Sequence, residues 1–375
     1  MPSRINVQKI LHVIPSFGLG GMEKVISAFI NGTGEYLHII MPLNGNKAAS
    51  RWIGSNEVRY IEFLKPNSRM EFFKKLYKII KKIKPDLIMS YNWGATDALW
   101  VGRMANVEFI VHNEHGFNID ESRCTSKRRD LLRIVLYHLA SKIVVVSSYL
   151  ESMMRRKYFL KSECISFIPN GIDTRHFCPG IVAREGVRRQ LGFTDDETVA
   201  AFCGRLDPVK NFGFMLEIIK YCGTFEQSIT LMIIGDGPES ARIREMAVAQ
   251  KIDGRLRLVG EKEDVLPYLR AADVFLLTSF REQMPVSVLE AMAVGLPVLA
   301  PRTGELPAVI ESGKEGFLKE LDDGPEEFGK VLIALVDRTQ RRRIGEAARS
   351  KVVSIFGEEA MVQKYRAVIQ GLIGI

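Results

Sequence analysis

Two periods of apolar residues alternate along this chain. Runs such as KILHVIP (Lys9–Pro15), DLIMSY (Asp86–Tyr91), KIVVVSS (Lys142–Ser148), SITLMII (Ser228–Ile234) and AADVFLLTS (Ala271–Ser279) are short and nearly continuous in apolar residues. They predict buried strands. Most are followed by stretches with apolar residues at i, i+3 and i+4, which predict helices. Strand and helix alternating almost throughout predict a parallel α/β architecture.

At 375 residues the chain exceeds what one core holds, so two domains are expected. The Pro- and Gly-containing stretch CISFIPNGIDTRHFCPG (Cys164–Gly180) places the boundary near Gly180. The expected division is 1–180, 181–355 and a tail 356–375 set off by the breaker Phe356-Gly357. The tail is expected to be a helix packing back on the first domain.

Composition adds constraints. With 46% hydrophobic and 26% charged residues the chain is globular, and no apolar run approaches the roughly 20 residues that span a bilayer. The opening MPSRINVQK-ILHVIP reads as a first strand rather than a signal peptide, so a cytoplasmic location is expected. Five cysteines are scattered without CxxC or a zinc-type Cys/His cluster, as expected for free thiols. The net charge of +8 is uneven: residues 1–180 hold 26 Lys+Arg against 15 Asp+Glu, and the remainder 26 against 29. That asymmetry predicts different partners for the two halves.

The basic half contains SRMEFFKKLYKIIKKIKPD (Ser68–Asp86), an amphipathic segment with six lysines around Phe72, Phe73, Leu76, Ile79, Ile80 and Ile83. It fits a crossover helix on the sheet, a helix lying on anionic lipid, or both at once. A second basic helix is expected over Thr125–Ser141. No nucleic-acid motif accompanies the charge.

Candidate chemistry gathers where strands hand over to helices, the ligand edge of such sheets. Gly18, Gly20 and Gly21 form a turn whose N–H groups can face a phosphate, or simply a tight packing turn. His112, Glu114 and His115 end one strand, and His115 is either a reacting-site group or a solvated loop histidine. Arg205 and Lys210 flank another turn and can bracket a diphosphate. Glu282 and Glu290 stand eight positions apart across Pro285, one in a loop and one within the helix that follows.

Taken together, GGMEK, PNGID, CGRLDPVKN, IIGDGPE, LVGEKED and the E-x7-E of REQMPVSVLEAMAVGLPVLA resemble the retaining glycosyltransferases of family four, over nearly the whole chain. The resemblance implies the GT-B fold, two Rossmann-like domains facing across a cleft. It implies that the first domain binds the acceptor and the second a nucleotide sugar, a substrate rather than a cofactor. Arg205 and Lys210 then hold the diphosphate, Glu282 the sugar hydroxyls and Glu290 the ribose. Backbone N–H groups around Met284, Pro285 and Val286 complete the sugar pocket, Gly20 and Gly21 approach the diphosphate, and His115 lies near the reacting centre. No D-x-D occurs, in keeping with a metal-independent enzyme. The family has small or aromatic residues after the first glutamate, so Gln283 and Met284 here mark donor choice.

The expected activity is hexosyl transfer from a UDP- or GDP-sugar, with retention, to a glycan or lipid-linked acceptor. The anionic inner membrane face is a further expected partner. A nucleotide-sugar epimerase of the same fold is the alternative, and a non-catalytic scaffold is disfavoured by the joint presence of Arg205, Lys210, Glu282 and Glu290.

Overall fold

The structure is a computed structural model that describes residues 8–54, 57–116, 126–225 and 228–374. The opening stretch 1–7, Cys124 and Thr125 lie outside the described residues. The chain divides into two compact units, Met1–Asn170 with Glu358–Ile375, and Gly171–Gly357. The division thus falls at Asn170 and Gly171 rather than near Gly180.

The first unit is built on a parallel sheet of β1 (Lys9–Ile14), β2 (Leu37–Pro42), β3 (Val58–Tyr60), β4 (Leu87–Tyr91), β5 (Phe109–Glu114), β6 (Lys142–Val145) and β7 (Ile165–Phe167). Their order is β3-β2-β1-β4-β5-β6-β7. Apolar residues fill both faces of the central strands because crossover helices cover each side. The basic helix Arg69–Ile83 is one of these crossovers. Ser68 caps it by accepting from Glu71 N at 3.1 Å, and Phe72, Leu76 and Ile80 are buried. Each such side chain contributes roughly 1.5–3 kcal/mol of burial, which fixes this stripe on the protein.

The chain returns to this unit in the helix Glu358–Ile373. Its Tyr365 ring lies 5.1 Å from Phe29, and Arg366 donates to Gly32 O and to Glu35 Oε1, both at 2.7 Å.

The second unit contains β8 (Thr198–Cys203), β9 (Ile229–Ile234), β10 (Leu256–Gly260), β11 (Val274–Leu276), β12 (Val298–Pro301) and β13 (Gly316–Lys319), ordered β10-β9-β8-β11-β12-β13. At its amino edge Asp273 accepts from Val199 N at 2.9 Å, Arg184 Nη2 at 2.8 Å and Arg188 Nη1 at 3.1 Å, with Arg341 Nη2 3.5 Å away. The same arginines donate to Ala271, Ala272, Leu335 and Val336 carbonyls at helix C-termini, where cations are favoured.

In each sheet the chain first builds outward on one side and then resumes on the other. The reversals fall between β1 and β4 and between β8 and β11. Loops leaving the carboxyl ends of those strands flank a crevice by topology alone.

Candidate functional site

In the second unit the loops in question are 204–211, after β8, and 277–285, after β11. They are tied together through the backbone: Phe280 N donates to Val209 O at 2.9 Å, and Thr278 Oγ1 to Lys210 O at 2.8 Å. The tie aims Lys210 Nζ at Glu282 Oε1, 2.6 Å away, with both side chains largely buried. Arg205 is 69% exposed and meets Asp207 Oδ1 at 3.3 Å. One cation is therefore fixed against a carboxylate and the other reaches into solvent.

The turn after β9 closes on the same place. Leu206 N donates to Asp236 O at 3.0 Å and Gly204 N to Ile234 O at 3.0 Å. Gly235, at φ +144, lies so close that a Cβ there would sit 2.0 Å from Gly204 O. Only glycine lets this turn support the Arg205 loop.

Helix Val286–Ala293 begins directly after Pro285, which stands at its N-cap. Proline carries no N–H, so of the three residues expected to line the pocket with amide donors only Met284 and Val286 have one. Met284, Gln283 and Val286 are buried side chains. Gln283 O accepts from Glu305 N at 2.7 Å, which pins the turn from below. Glu290, within the helix, is 2% exposed.

Two hydroxyls that sequence reasoning missed belong here. Thr278 locks the Lys210 backbone, and Ser279 Oγ is fully buried without a hydrogen-bond partner among the described residues. An unsatisfied buried hydroxyl at a ligand edge is a place for a ligand group. The signal for both is the Thr-Ser pair closing the apolar run of β11.

In the first unit the corresponding loops follow β1 and β4. Helix Gly21–Asn31 starts with Gly20 as its extended N-cap, and a Cβ at Gly20 would sit 2.5 Å from Glu23 Oε2. The missing side chain leaves room for the Glu23 carboxyl, whose pKa burial raises to about 7. After β4, Asn92 Oδ1 accepts from His115 N at 2.7 Å.

The His112, Glu114, His115 cluster is divided by strand alternation. His112 Nδ1 pairs with Ser90 Oγ at 2.9 Å, and Glu114 Oε2 accepts from Tyr137 OH at 2.6 Å. His115 instead lies against the Tyr91 ring, centroids 6.3 Å apart. Both its ring nitrogens are buried without a hydrogen-bond partner among the described residues, and burial lowers its pKa to about 4. It is therefore a neutral imidazole at physiological pH. Among the described residues no group of three or more His, Cys, Asp or Glu is arranged to hold a metal ion.

Two parallel-sheet, Rossmann-like units with reactive groups on their switch-point loops define the GT-B class. Solved structures share this fold: HepE of Anabaena in complex with UDP-glucose superposes with a TM-score of 0.84 at 19% identity, covering 97% of this chain and 99% of that one. The sucrose-phosphate synthase of Thermosynechococcus elongatus gives 0.78 at 21% identity, covering 98% and 100%.

Two family models match in succession, "Glycosyltransferase Family 4" over residues 19–176 and "Glycosyl transferases group 1" over 197–338. The chain belongs to the group 1 glycosyltransferases of family four. Among its relatives is the UDP-Gal:alpha-D-GlcNAc-diphosphoundecaprenol alpha-1,3-galactosyltransferase of Escherichia coli, 28% identical over 298 residues, 78% of this chain and 76% of that one. The N-acetyl-alpha-D-glucosaminyl L-malate synthase of Bacillus anthracis is 27% identical over 261 residues, 69% and 67%. These transfer and synthase activities do not favour the epimerase alternative.

Proposed function

We propose that the enzyme transfers a hexosyl group from a UDP- or GDP-sugar to a lipid-linked or glycan acceptor in cell-envelope synthesis, retaining the anomeric configuration as its family implies. The observation that carries this reading is the Lys210–Glu282 pair at the β8/β11 switch point. In this reading the bond from the sugar C1 to the diphosphate oxygen breaks, an acceptor oxygen bonds to C1, and the acceptor proton leaves. Charge builds on the departing diphosphate, and Arg205 and Lys210 supply positive potential there, Lys210 from a fixed position and Arg205 from an exposed one. Glu282 and Glu290 accept hydrogen bonds from sugar and ribose hydroxyls. The family resemblance assigns Gly20, Gly21 and His115 of the first unit to the same reaction. Ser279 is a further donor-side contact.

The substrates that the E. coli relative's name gives, a UDP-sugar and a diphosphoundecaprenol-linked sugar, support a lipid diphosphate acceptor. A thermal-shift panel of UDP, GDP, ADP and their sugars, followed by turnover with the most stabilising donor, tests the reading. Stabilisation by one nucleotide family is expected, and none by any nucleotide rejects it.

The acceptor chemistry also favours work at a membrane surface. No helix of the described residues is long and apolar enough to cross a bilayer. Helix Arg69–Ile83 buries its stripe Phe72, Leu76 and Ile80, so the lipid-facing residues lie off that stripe. Met70, Trp100, Met104, Leu131 and Val135 are 48–68% exposed on the helices Arg69–Ile83, Asp97–Met104 and Lys127–Tyr137, which pack in series. Exposed Lys74, Lys78, Lys127 and Arg128 rim them, the pattern an anionic interface selects. Replacing Leu131 and Val135 with Asp is expected to abolish co-sedimentation with phosphatidylglycerol vesicles while soluble-acceptor turnover persists. Unchanged co-sedimentation rejects this surface.

A further inference from the structure

Beneath the first unit's switch point runs a buried chain of polar groups that the proposed chemistry does not use. His12 on β1, His38 on β2 and Tyr91 at the end of β4 share one face of the sheet, since Ile10 pairs with His38 and His12 with Met89 in register. Parity then places Tyr91 with Met89 and His12. All three side chains are at most 2% exposed. His12 Nδ1 lies 2.9 Å from Tyr91 OH, His12 Nε2 lies 3.0 Å from His38 Nδ1, and His38 Nε2 lies 3.0 Å from Thr33 O.

The direction of this chain is determined at one end. Thr33 O only accepts, and Thr33 Oγ1, 3.1 Å from the same Nε2, gives its proton to Phe29 O at 2.6 Å, so His38 carries its proton on Nε2 and its Nδ1 is bare. His12 must therefore donate from Nε2, which leaves its own Nδ1 bare. Tyr91 OH must donate to it. Both imidazoles are neutral, and every polar atom of the chain is occupied. Burial lowers the pKa of both histidines, in agreement with the neutral forms.

With its hydroxyl so engaged, Tyr91 cannot rotate without leaving His12 Nδ1 as a buried, unsatisfied acceptor. Its ring is thereby held against His115, tilted by 30°. The next residue, Asn92, holds the His115 backbone N–H. Among the described residues the His115 ring has no hydrogen bond to orient it, so its outlook depends on Tyr91.

We propose that Tyr91 is a positioning residue for His115, locked in place by the one-way relay Tyr91→His12→His38→Thr33. The proposal rests on the reading of His115 as a reacting-site group, and it assigns to three core residues a role in the reaction. The hydroxyl holds the ring and the ring holds the imidazole.

Steady-state turnover of the full chain with the UDP- or GDP-sugar that stabilises it most in the thermal-shift panel tests this, using Tyr91→Phe and Tyr91→Leu with circular dichroism as a check on folding. Tyr91→Phe keeps the volume but removes the anchor, and an approximately tenfold fall in kcat is expected with the donor KM unchanged. Tyr91→Leu removes the ring as well. A fall of about a hundredfold is expected, together with a rise of the His115 NMR titration midpoint from about 4 toward the ordinary histidine value. Two-bond nitrogen–proton spectra of the wild type should show both His12 and His38 protonated on Nε2. A folded Tyr91→Phe with wild-type kcat, or His12 protonated on Nδ1, overturns the proposal. His115→Ala separates the two layers. If it retains full activity, the reading of His115 itself fails; if it is inactive while Tyr91→Phe and Tyr91→Leu are normal, only the positioning role fails.

Discussion

Lys210 Nζ stands 2.6 Å from Glu282 Oε1, although seventy-two positions separate the two residues in the chain. Each neutralises the other. In the donor complex proposed above, a diphosphate and a sugar hydroxyl are the replacement partners of the two groups, one ion pair being exchanged for two charge-assisted contacts.

Lys210→Ala is therefore expected to lower kcat by about a hundredfold or more, the scale of losing one donor to a developing anion. Lys210→Met should behave the same, because the charge and not the stem is required. Steady-state kinetics check this, and a fall below threefold in both variants rejects the role of Lys210.

Gly304 controls the same carboxylate from behind. Its φ is +57, and a Cβ there would lie 2.0 Å from Glu282 O and 2.8 Å from Gln283 O. Gly304→Ala must push the Glu282 turn outward, so donor KM is expected to rise about tenfold or more. Denaturant unfolding is expected to show a loss of roughly 1–3 kcal/mol. A wild-type KM at reduced stability would separate the turn from donor binding.

Asp273 is the counter-charge for three guanidinium groups. Asp273→Ala strands them in a largely buried place, and a loss of about 3–5 kcal/mol is expected from urea titration. Asp273→Asn, which keeps an acceptor for Val199 N, should lose less. Equal losses would show that shape rather than charge holds this hub.

Glu23 and His115 give the first unit opposite pH dependences. The Glu23 pKa rises from 4.5 to about 7 on folding, so the unfolded chain releases this proton first and its contribution to stability falls as pH rises across that window. Glu23→Gln should remove on the order of 3 kcal/mol of that fall between pH 4.5 and 8. The His115 pKa drops from 6.5 to about 4, so its contribution is intact above 6.5 and is lost as pH falls toward 4. Urea midpoints of Glu23→Gln and His115→Phe across pH 4–8 check both signs.

Much of the site is legible in the amino-acid sequence. The apolar runs mark strand ends, and glycine, histidine, arginine, lysine and glutamate at those ends mark chemistry, because a parallel sheet places strand-to-helix turns on one edge. Less is legible in the details of contact. Pro285 lies one position outside the helix that its φ prepares. The lysine-rich helix Arg69–Ile83 buries its apolar stripe, and Trp100, Met104, Leu131 and Val135 on Asp97–Met104 and Lys127–Tyr137 are exposed instead. Ser279 and Tyr91 have the look of ordinary strand residues.

The sequence by itself determined the kinds of elements, their succession, the two-unit α/β class and the family, since these follow from local periodicity and ordered motifs. Strand order and register came only with the tertiary structure. Those depend on burying whole faces against one another, a sum over distant residues that no short window contains. Only that packing brings Lys210 to Glu282, Gly304 beneath Glu282, and His12, His38 and Tyr91 onto one face of one sheet.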